Sequence, residues 1–285
     1  MKLGIFTFNT EYTIRADEIA VAAEERGFES VWFPEHTHVP ASRETPFPAG
    51  GDLPKEYVHM LDPLTSAAAA AVVTKDLIIG SAVCLMNEHD VFALANAVAS
   101  LDILSKGRFE FGVGAGWIAE EMRNHGFEFK ERWAVLEDRL KALKALWTQT
   151  EASHHGPYTN FEKVWSYPKP ITKPHPPIVL GTLASEWGRK RTAEYADGWI
   201  PLGPMHGDQM INDIKDLHSK LRDRGRDPAS VPISICDNQQ TDPNTLKRFA
   251  DSGLIYRAIP RCPTEDQASV LRWMDDYARL IEALN

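Results

Sequence analysis

The sequence alternates between short apolar runs and longer segments with helical periodicity, and this alternation constrains the fold more than any other feature. Eight of the runs have the length and composition of buried strands. They are 3–8, 30–33, 77–83, 109–113, 178–181, 198–202, 231–236 and 254–259. Eight strands that are each followed by a helix indicate an α/β chain folded as a closed (β/α)8 TIM barrel. A doubly wound sheet is disfavoured because no glycine-rich loop follows the first run.

Two connections are too long to be simple barrel loops. Residues 34–61 are rich in proline, glycine and charge, and residues 149–177 are rich in proline. Long connections within a compact domain usually have a function or are disordered. We therefore expect one barrel domain over residues 1–285, with these two insertions as candidate covers of the active site.

Composition excludes several classes of protein. Hydrophobic residues make up 43% and charged residues 25% of the 285, as in ordinary globular proteins. The absence of an 18-residue apolar run argues against a membrane span, and a net charge of −9 argues against nucleic-acid binding. Three widely spaced cysteines without a Cys-x-x-Cys pair fit a reducing cytoplasm.

The fourth run ends in a glycine-rich segment that is unusual for a strand. Gly112, Gly114 and Gly116 alternate with Val113 and Ala115. Such glycines permit a sharp turn, or they allow a flat ligand to lie against the backbone. Both interpretations stay open, but the segment is not a dinucleotide fingerprint, because that pattern requires glycine where Trp117 stands.

Barrel enzymes carry their chemistry where the strands end, so these positions supply the candidate site residues. Glu35 and His36 follow the second run and offer an acid beside an imidazole. After the fifth run, Gly181, Thr182 and Ser185 precede a helix whose backbone N–H groups can hold a phosphate. An ordinary capped helix would show the same pattern, and both interpretations stay open.

His36 and His38 have the spacing of paired metal ligands at a strand end. Such a site needs further ligands after later strands. The fifth run ends in Gly181-Thr182 and the eighth is followed by Arg261, so those ligands are missing. We expect no metal.

Seven short motifs are spread over nearly the whole chain. They are Trp32-Phe-Pro-Glu-His36, Ile79-Gly-Ser-Ala-Val83, Leu101-Asp-Ile-Leu-Ser-Lys-Gly-Arg-Phe109, Gly112-Val-Gly-Ala-Gly-Trp117, Gly126-Phe-Glu-Phe-Lys-Glu-Arg132, Pro174-His-Pro-Pro-Ile178 and Ala196-Asp-Gly-Trp199. Together they make the chain resemble the luciferase-like monooxygenase superfamily, and within it the group that uses the deazaflavin coenzyme F-420.

This resemblance implies where the coenzyme lies. In the family the ring lies against a non-prolyl cis peptide at the end of the third strand, which matches Ala82-Val83 here. The phosphate lies near the loop after the fifth strand. The residues expected to contact the coenzyme are Ala82, Val83, Gly114, Ala115, Gly181, Thr182 and Ser185.

The resemblance also implies catalytic and substrate residues. The acid–histidine pair of the deazaflavin enzymes matches Glu35 and His36, with His36 as proton donor or acceptor. Some relatives have a catalytic glutamate where this chain has Trp117, so we expect Trp117 and Tyr57 to line the substrate pocket. The implied activity is hydride transfer between F-420 and an unidentified small organic substrate, by a homodimer.

Two alternatives remain from the sequence. The same barrel could bind flavin mononucleotide (FMN) and act as a monooxygenase with reduced flavin and oxygen. It could also be a barrel that binds a cofactor or ligand without catalysis. The length of the chain and the Glu35-His36 pair favour the deazaflavin over FMN, and a histidine at a strand end argues against a barrel without catalysis.

Overall fold

Eight parallel strands form the centre of the protein, for which we use a computed structural model that describes residues 1–203, 207–237 and 243–284. The strands are β1 (Lys2–Leu3 and Ile5–Phe6), β2 (Ser30–Phe33), β3 (Ile78–Ser81), β4 (Phe109–Gly114), β5 (Ile178–Leu183), β6 (Gly198–Leu202), β7 (Ser234–Asp237) and β8 (Arg257–Pro260). Neighbours in sequence pair with each other from β1 to β6 and from β7 to β8.

The sheet closes on itself. A bridge between Trp199 and Ile233 joins β6 to the start of β7, and β8 pairs with β1 through Lys2 and Arg257. Every pair in this circuit is parallel. The predicted TIM barrel is therefore confirmed.

Helices surround the strands. They are α1 (Ala16–Glu25), α2 (Pro63–Val73), α3 (Val91–Leu104), α4 (Ala119–Asn124), α5 (Arg132–Thr148), α6 (Glu186–Tyr195), α7 (Gly207–Arg222), α8 (Pro243–Asp251) and α9 (Gln267–Leu284). Local sequence explains several of the ends. Asp62 caps α2 by accepting the Thr65 N–H at 2.6 Å, and Gly27, with φ of +78°, ends the turn after α1. Among the described helices, none is long and apolar enough to cross a membrane.

The amino ends of the strands are closed by a buried ion network. Arg257 donates to Glu110 at 2.7 Å and to Glu29 at 2.7 Å, and only 1% of its side chain is exposed. A buried guanidinium needs such partners, because an unpaired charge there would be strongly destabilising. The opposite end, where the strands have their carboxyl ends, is left for the candidate site.

The connection at 149–177 does not cover that end. It contains an antiparallel hairpin, Ala152–His155 with Asn160–Val164, that packs on the outside of the barrel helices. His154 Nε2 lies 2.9 Å from Asp138 on α5, and the ring of Phe161 lies 5.2 Å from that of Phe92 on α3. The expectation that it covers the active site is wrong. A connection that follows a helix and precedes a strand lies at the amino ends of the barrel strands, whereas the active site is expected at their carboxyl ends.

The strand predicted from the eighth apolar run starts later than expected. Residues 254–259 were predicted as a strand, but β8 is Arg257–Pro260. Leu254 and Ile255 instead pack in an apolar cluster with side chains of α7 such as Ile214 and Leu217. Periodicity alone does not distinguish an apolar loop that packs under a helix from a buried strand.

Candidate active site

The connection at 34–61 covers the carboxyl ends of the strands, as predicted. Phe47 lies 5.3 Å from Tyr57 and 6.0 Å from Trp117, measured between ring centroids. Arg43 lies 5.8 Å above the Trp117 ring. The carboxylate of Glu56 pairs with Arg261, which follows β8, so the far end of the connection is attached to the barrel.

Tyr57 and Trp117 lie beside His36 in one aromatic cluster. The ring of His36 is 5.7 Å from Tyr57 and 5.7 Å from Trp117. Burial raises the pKa of Tyr57 to about 12, so its phenol is neutral at physiological pH. Both residues predicted to line a substrate pocket therefore contact the candidate catalytic histidine.

His36 is held between two partners. Its Nδ1 lies 2.8 Å from Glu121 Oε2, and the indole N–H of Trp117 donates to its Nε2 at 3.2 Å. Only 5% of the His36 side chain and 1% of the Glu121 side chain are exposed. A ring nitrogen that accepts a hydrogen bond carries a lone pair and no proton, so a neutral His36 has its proton on Nδ1 and donates it to Glu121.

This arrangement suits a general base. The carboxylate fixes the tautomer and orientation of the imidazole and stabilises the imidazolium that forms when Nε2 takes a proton. Because both side chains are buried, few water molecules compete for the hydrogen bond between His36 and Glu121, and their electrostatic attraction is stronger than it would be in water. The sequence analysis did not identify Glu121. This residue lies on α4, a helix of six residues that is too short to show a periodic apolar pattern.

Glu35 is not the acid that pairs with His36. Its Oε1 lies 2.7 Å from His89 Nε2, and its Oε2 accepts the backbone N–H of Leu85. The predicted Glu35-His36 pair is thus corrected to two separate pairs, His36 with Glu121 and His89 with Glu35. Consecutive side chains at the end of an extended strand point in opposite directions, which separates the two neighbours.

Glu35 and His89 also form a group with Cys84 that sequence reasoning did not anticipate. Their ligand atoms lie within 4.8 Å of one another. Burial, together with the negative charge of Glu35, raises the pKa of the Cys84 thiol far above its usual range. The protonated thiol donates a hydrogen bond to the Glu35 carboxylate.

The end of β3 has the predicted cis peptide between Ala82 and Val83. The Val83 side chain lies between Gly114 and Gly181, and a methyl group at either glycine would clash with it. These two glycines thus make room for Val83, which brings the ends of β3, β4 and β5 together. Ala82 and Val83 are both half-buried and uncharged.

The other glycines of β4 and of the loop that follows it are needed for different structural reasons. At Gly112 a side chain would overlap the Ser81 carbonyl, and the Ser81 hydroxyl donates to the Gly112 carbonyl at 2.7 Å. Gly116 has φ of +75°, which side chains disfavour. Ala115 is buried, and its carbonyl accepts from Asn87 at 3.3 Å. The segment therefore combines close strand contact with a tight turn.

The candidate phosphate site lies at the start of α6. Thr182 is buried, and Ser185 caps the helix by accepting the Gly188 N–H at 3.2 Å. Arg189 on α6 is held by Asp213 at 2.6 Å and Asp216 at 2.5 Å. Its charge is therefore compensated within the fold, and the backbone N–H groups remain the main feature that favours an anion here.

Comparisons with known proteins point to one family. Residues 1–236 match the model of the luciferase-like monooxygenase family. An uncharacterized Mycobacterium tuberculosis protein, Rv0953c, is 36% identical over 275 residues, covering 94% of this chain and 95% of the relative. The F-420-dependent glucose-6-phosphate dehydrogenase of Amycolatopsis mediterranei is 33% identical over 294 residues, covering 90% and 84%.

A solved structure shows the same fold. The F-420-dependent secondary alcohol dehydrogenase, determined with an F-420–acetone adduct, superposes with a TM-score of 0.78 at 18% identity, covering 100% of this chain and 99% of the other. The family includes oxidoreductases that use F-420 and monooxygenases. By its family match and its closed barrel, the chain belongs to the luciferase-like monooxygenase family.

Proposed function

We propose that this protein transfers a hydride between coenzyme F-420 and a small organic substrate that carries an alcohol or a carbonyl group. The observation that carries the proposal is His36, a buried imidazole whose Nδ1 is held by Glu121 and whose Nε2 accepts a hydrogen bond from Trp117 and therefore carries a lone pair. A relative that is 33% identical is an F-420-dependent dehydrogenase, which supports the choice of coenzyme.

The residues at the strand ends fit such a coenzyme. Ala82 and Val83 offer a half-buried, uncharged surface, and Ala82 packs on the same apolar cluster as Tyr57. Gly114 and Ala115 would lie beside the ring. Thr182, Ser185 and the start of α6 would hold the phosphate. When bound, the deazaflavin supplies the carbon that accepts or returns the hydride.

The chain's own part in the reaction is proton transfer. As the substrate's C–H bond gives up a hydride, His36 Nε2 takes the hydroxyl proton and the C–O bond becomes a carbonyl. The Trp117 N–H, which donates to that nitrogen in the absence of substrate, gives way to the hydroxyl. Glu121 stabilises the resulting imidazolium through its hydrogen bond to Nδ1.

The 34–61 connection, which covers the site, also shields it from water. The aromatic side chains of Phe47, Tyr57 and Trp117 enclose His36 from the side of the 34–61 connection. Exclusion of water strengthens the electrostatic interactions of the site and protects the hydride from side reactions. The same apolar walls favour a substrate with a small hydrocarbon part.

An FMN-dependent monooxygenase is the second candidate, because the family model that matches residues 1–236 describes monooxygenases. It would use the same barrel face with reduced flavin and oxygen. A non-catalytic binding barrel is less well supported, because a buried carboxylate–imidazole pair at a strand end is costly to maintain unless it has a role.

An anaerobic assay tests the proposal. The protein is mixed with F-420 and a panel of short primary and secondary alcohols, and in reverse with reduced F-420 and the matching aldehydes and ketones, while coenzyme absorbance is followed. We expect turnover without oxygen for at least one pair. Oxygen consumption with reduced FMN, and no anaerobic turnover of F-420, would favour the monooxygenase instead.

A further inference from the structure

Arg43, in the connection that covers the site, carries a positive charge that no carboxylate offsets. Its guanidinium donates to the Thr45 carbonyl, and it forms no ion pair with any Asp or Glu among the residues that the structure describes. A guanidinium has several N–H donors, and this hydrogen bond uses one of them. The half-buried Arg43 side chain therefore has donors left for a further acceptor.

Glu120 fixes the backbone on which Arg43 stands. Its Oε1 accepts the backbone N–H groups of Glu44 at 2.8 Å and Thr45 at 3.0 Å, and its Oε2 accepts the Thr45 hydroxyl at 2.7 Å. The Thr45 hydroxyl in turn accepts the backbone N–H of Ala119 at 3.2 Å. These hydrogen bonds attach the segment to the start of α4, so Arg43 loses less conformational entropy when it binds a ligand.

One indole ring connects Arg43 to His36. The guanidinium carbon of Arg43 lies 5.8 Å from the centre of the Trp117 ring, and the same ring lies 5.7 Å from the ring of His36. The indole N–H of Trp117 donates to His36 Nε2 at 3.2 Å, the place that the substrate hydroxyl takes in the proposed reaction. A molecule that replaces the indole at His36 thus extends toward Arg43.

The contact with Trp117 is weaker than the contact that a carboxylate offers. A cation over an aromatic ring gains less at a partly exposed site than a guanidinium gains from charge-assisted hydrogen bonds. The planar fork of N–H groups also matches the two oxygens of a carboxylate. A carboxylate that reaches Arg43 therefore displaces the indole from it.

The site provides one positive charge, which suits a carboxylate better than a phosphate. Among the residues that the structure describes, no other Lys or Arg lies over a ring of the aromatic cluster around His36. Arg261, which follows β8, is already paired with Glu56. A phosphate monoester carries close to two negative charges at neutral pH, so a single guanidinium would leave it undercompensated.

We propose that Arg43 selects substrates with a carboxylate, so that the substrate is a small hydroxy acid or the corresponding oxo acid. The hydroxyl or carbonyl end binds at His36, and the carboxylate binds Arg43 in place of the Trp117 ring. Arg43 contacts the end of the substrate that does not react, so it lowers KM and has little effect on kcat. The reaction rests on the proposed function, whereas carboxylate binding at Arg43 does not.

NMR of the coenzyme-free protein with isotope-labelled tryptophan tests the binding. The indole N–H signal of Trp117 is assigned with Trp117→Phe, and 4-hydroxypentanoate or its uncharged methyl ester is then added. We expect the acid to shift this signal saturably, and the ester to need an about 10- to 100-fold higher concentration. An acid and an ester that shift the signal equally would overturn the proposal.

Variants separate the role of Arg43 from that of net charge. Arg43→Gln should abolish the difference between acid and ester, and Arg43→Lys should retain part of it, because lysine keeps the charge without the fork. Lys55→Gln is the control: it removes a positive charge from the same connection, but Lys55 lies 4.1 Å over the ring of Tyr12, outside the cluster. A loss in Lys55→Gln as large as in Arg43→Gln would overturn the proposal.

The anaerobic F-420 assay tests the selection of substrates. Over a series of hydroxy acids from lactate to 4-hydroxypentanoate, the best acid should have a KM about 10- to 100-fold below that of its methyl ester, at similar kcat. Arg43→Gln should raise the KM of the acid and leave that of the ester unchanged. Equal KM values in the wild type would overturn the role of Arg43 and leave the proposed function in place. A shift of the Trp117 signal by the acids without turnover would do the reverse.

Discussion

His36 Nδ1 lies 2.8 Å from Glu121 Oε2, although 85 residues separate them in the chain and they sit on different elements. β2 brings the imidazole to the carboxyl end of the barrel, and α4 brings the carboxylate beside it. The pair resembles the carboxylate–imidazole part of hydrolytic triads in logic, since one group orients and the other moves the proton. The proposed chemistry depends on this contact.

Replacement of Glu121 should therefore impair turnover without impairing binding. In Glu121→Gln the side chain keeps its size but no longer stabilises an imidazolium, so we expect kcat to fall by about 10²- to 10⁴-fold. Rates of F-420 reduction and coenzyme affinity measured side by side would show this. Arg123→Gln, on the same helix but with an exposed side chain, should retain nearly full activity; equal losses in both variants would mean that the helix, not the carboxylate, matters.

His36→Ala should produce a similar loss for a different reason. The variant lacks the base itself, so we expect kcat to fall by about 10²- to 10⁴-fold while coenzyme affinity stays close to that of the wild type. Fluorescence titration and steady-state rates give the two quantities separately. An unchanged rate on an active substrate would remove His36 from the mechanism.

Gly181 and Val83 should be energetically coupled. A methyl group at Gly181 would clash with Val83, so Gly181→Ala should lower the free energy of unfolding by about 1–3 kcal/mol. Adding Val83→Ala removes the clashing group and should recover part of the loss in a double-mutant cycle. Urea unfolding measures all four proteins. Strict additivity would show that the two positions do not meet as described.

A bulkier residue at the same glycine tests the coenzyme site rather than the fold. Gly181→Val, made with Val83→Ala to relieve the clash, should weaken F-420 binding because it crowds the loop after β5. Binding is measured by fluorescence and compared with Val83→Ala alone. Equal affinity in the two proteins would place the phosphate elsewhere.

Stability should depend on pH through Glu88, a carboxyl group in the turn after β3 whose pKa is raised to about 9 by burial. The folded protein holds a proton on Glu88 up to a pH of about 9, whereas the unfolded chain releases it near 4.5. Between these values the free energy of unfolding falls as pH rises, by up to about 1.4 kcal/mol per pH unit from this group. Glutamine cannot lose a proton, so the advantage of Glu88→Gln over the wild type should grow from acidic to alkaline pH. Parallel curves in urea unfolding would contradict this.

Much of the fold and part of the site could be predicted from local sequence. Buried parallel strands appear as short apolar runs, so the first six runs overlap the observed strands closely, and the last two begin three residues before theirs. Asp62-Pro63 and Gly27 are of the residue types that begin and end helices, and they lie at the start of α2 and after the end of α1. The cis peptide at Ala82-Val83 came from the family resemblance, and the structure has it.

The contacts made through space could not be predicted. Glu121 lies on a helix too short to show a periodic pattern, and its partner is far away in the chain. Glu35 was chosen as that partner because it is the sequence neighbour of His36, but strand geometry directs the two side chains apart. The role of Gly114 and Gly181 in accommodating Val83 depends on three strand ends that meet only in the closed barrel.

Equilibrium titration of the purified protein with F-420 and, separately, with FMN tests the central claim most directly. Fluorescence reports binding of either coenzyme, and Glu121→Gln serves as a folded reference that should bind like the wild type. We predict saturable binding of F-420 with much weaker binding of FMN. Tight binding of FMN without a response to F-420 would contradict the account.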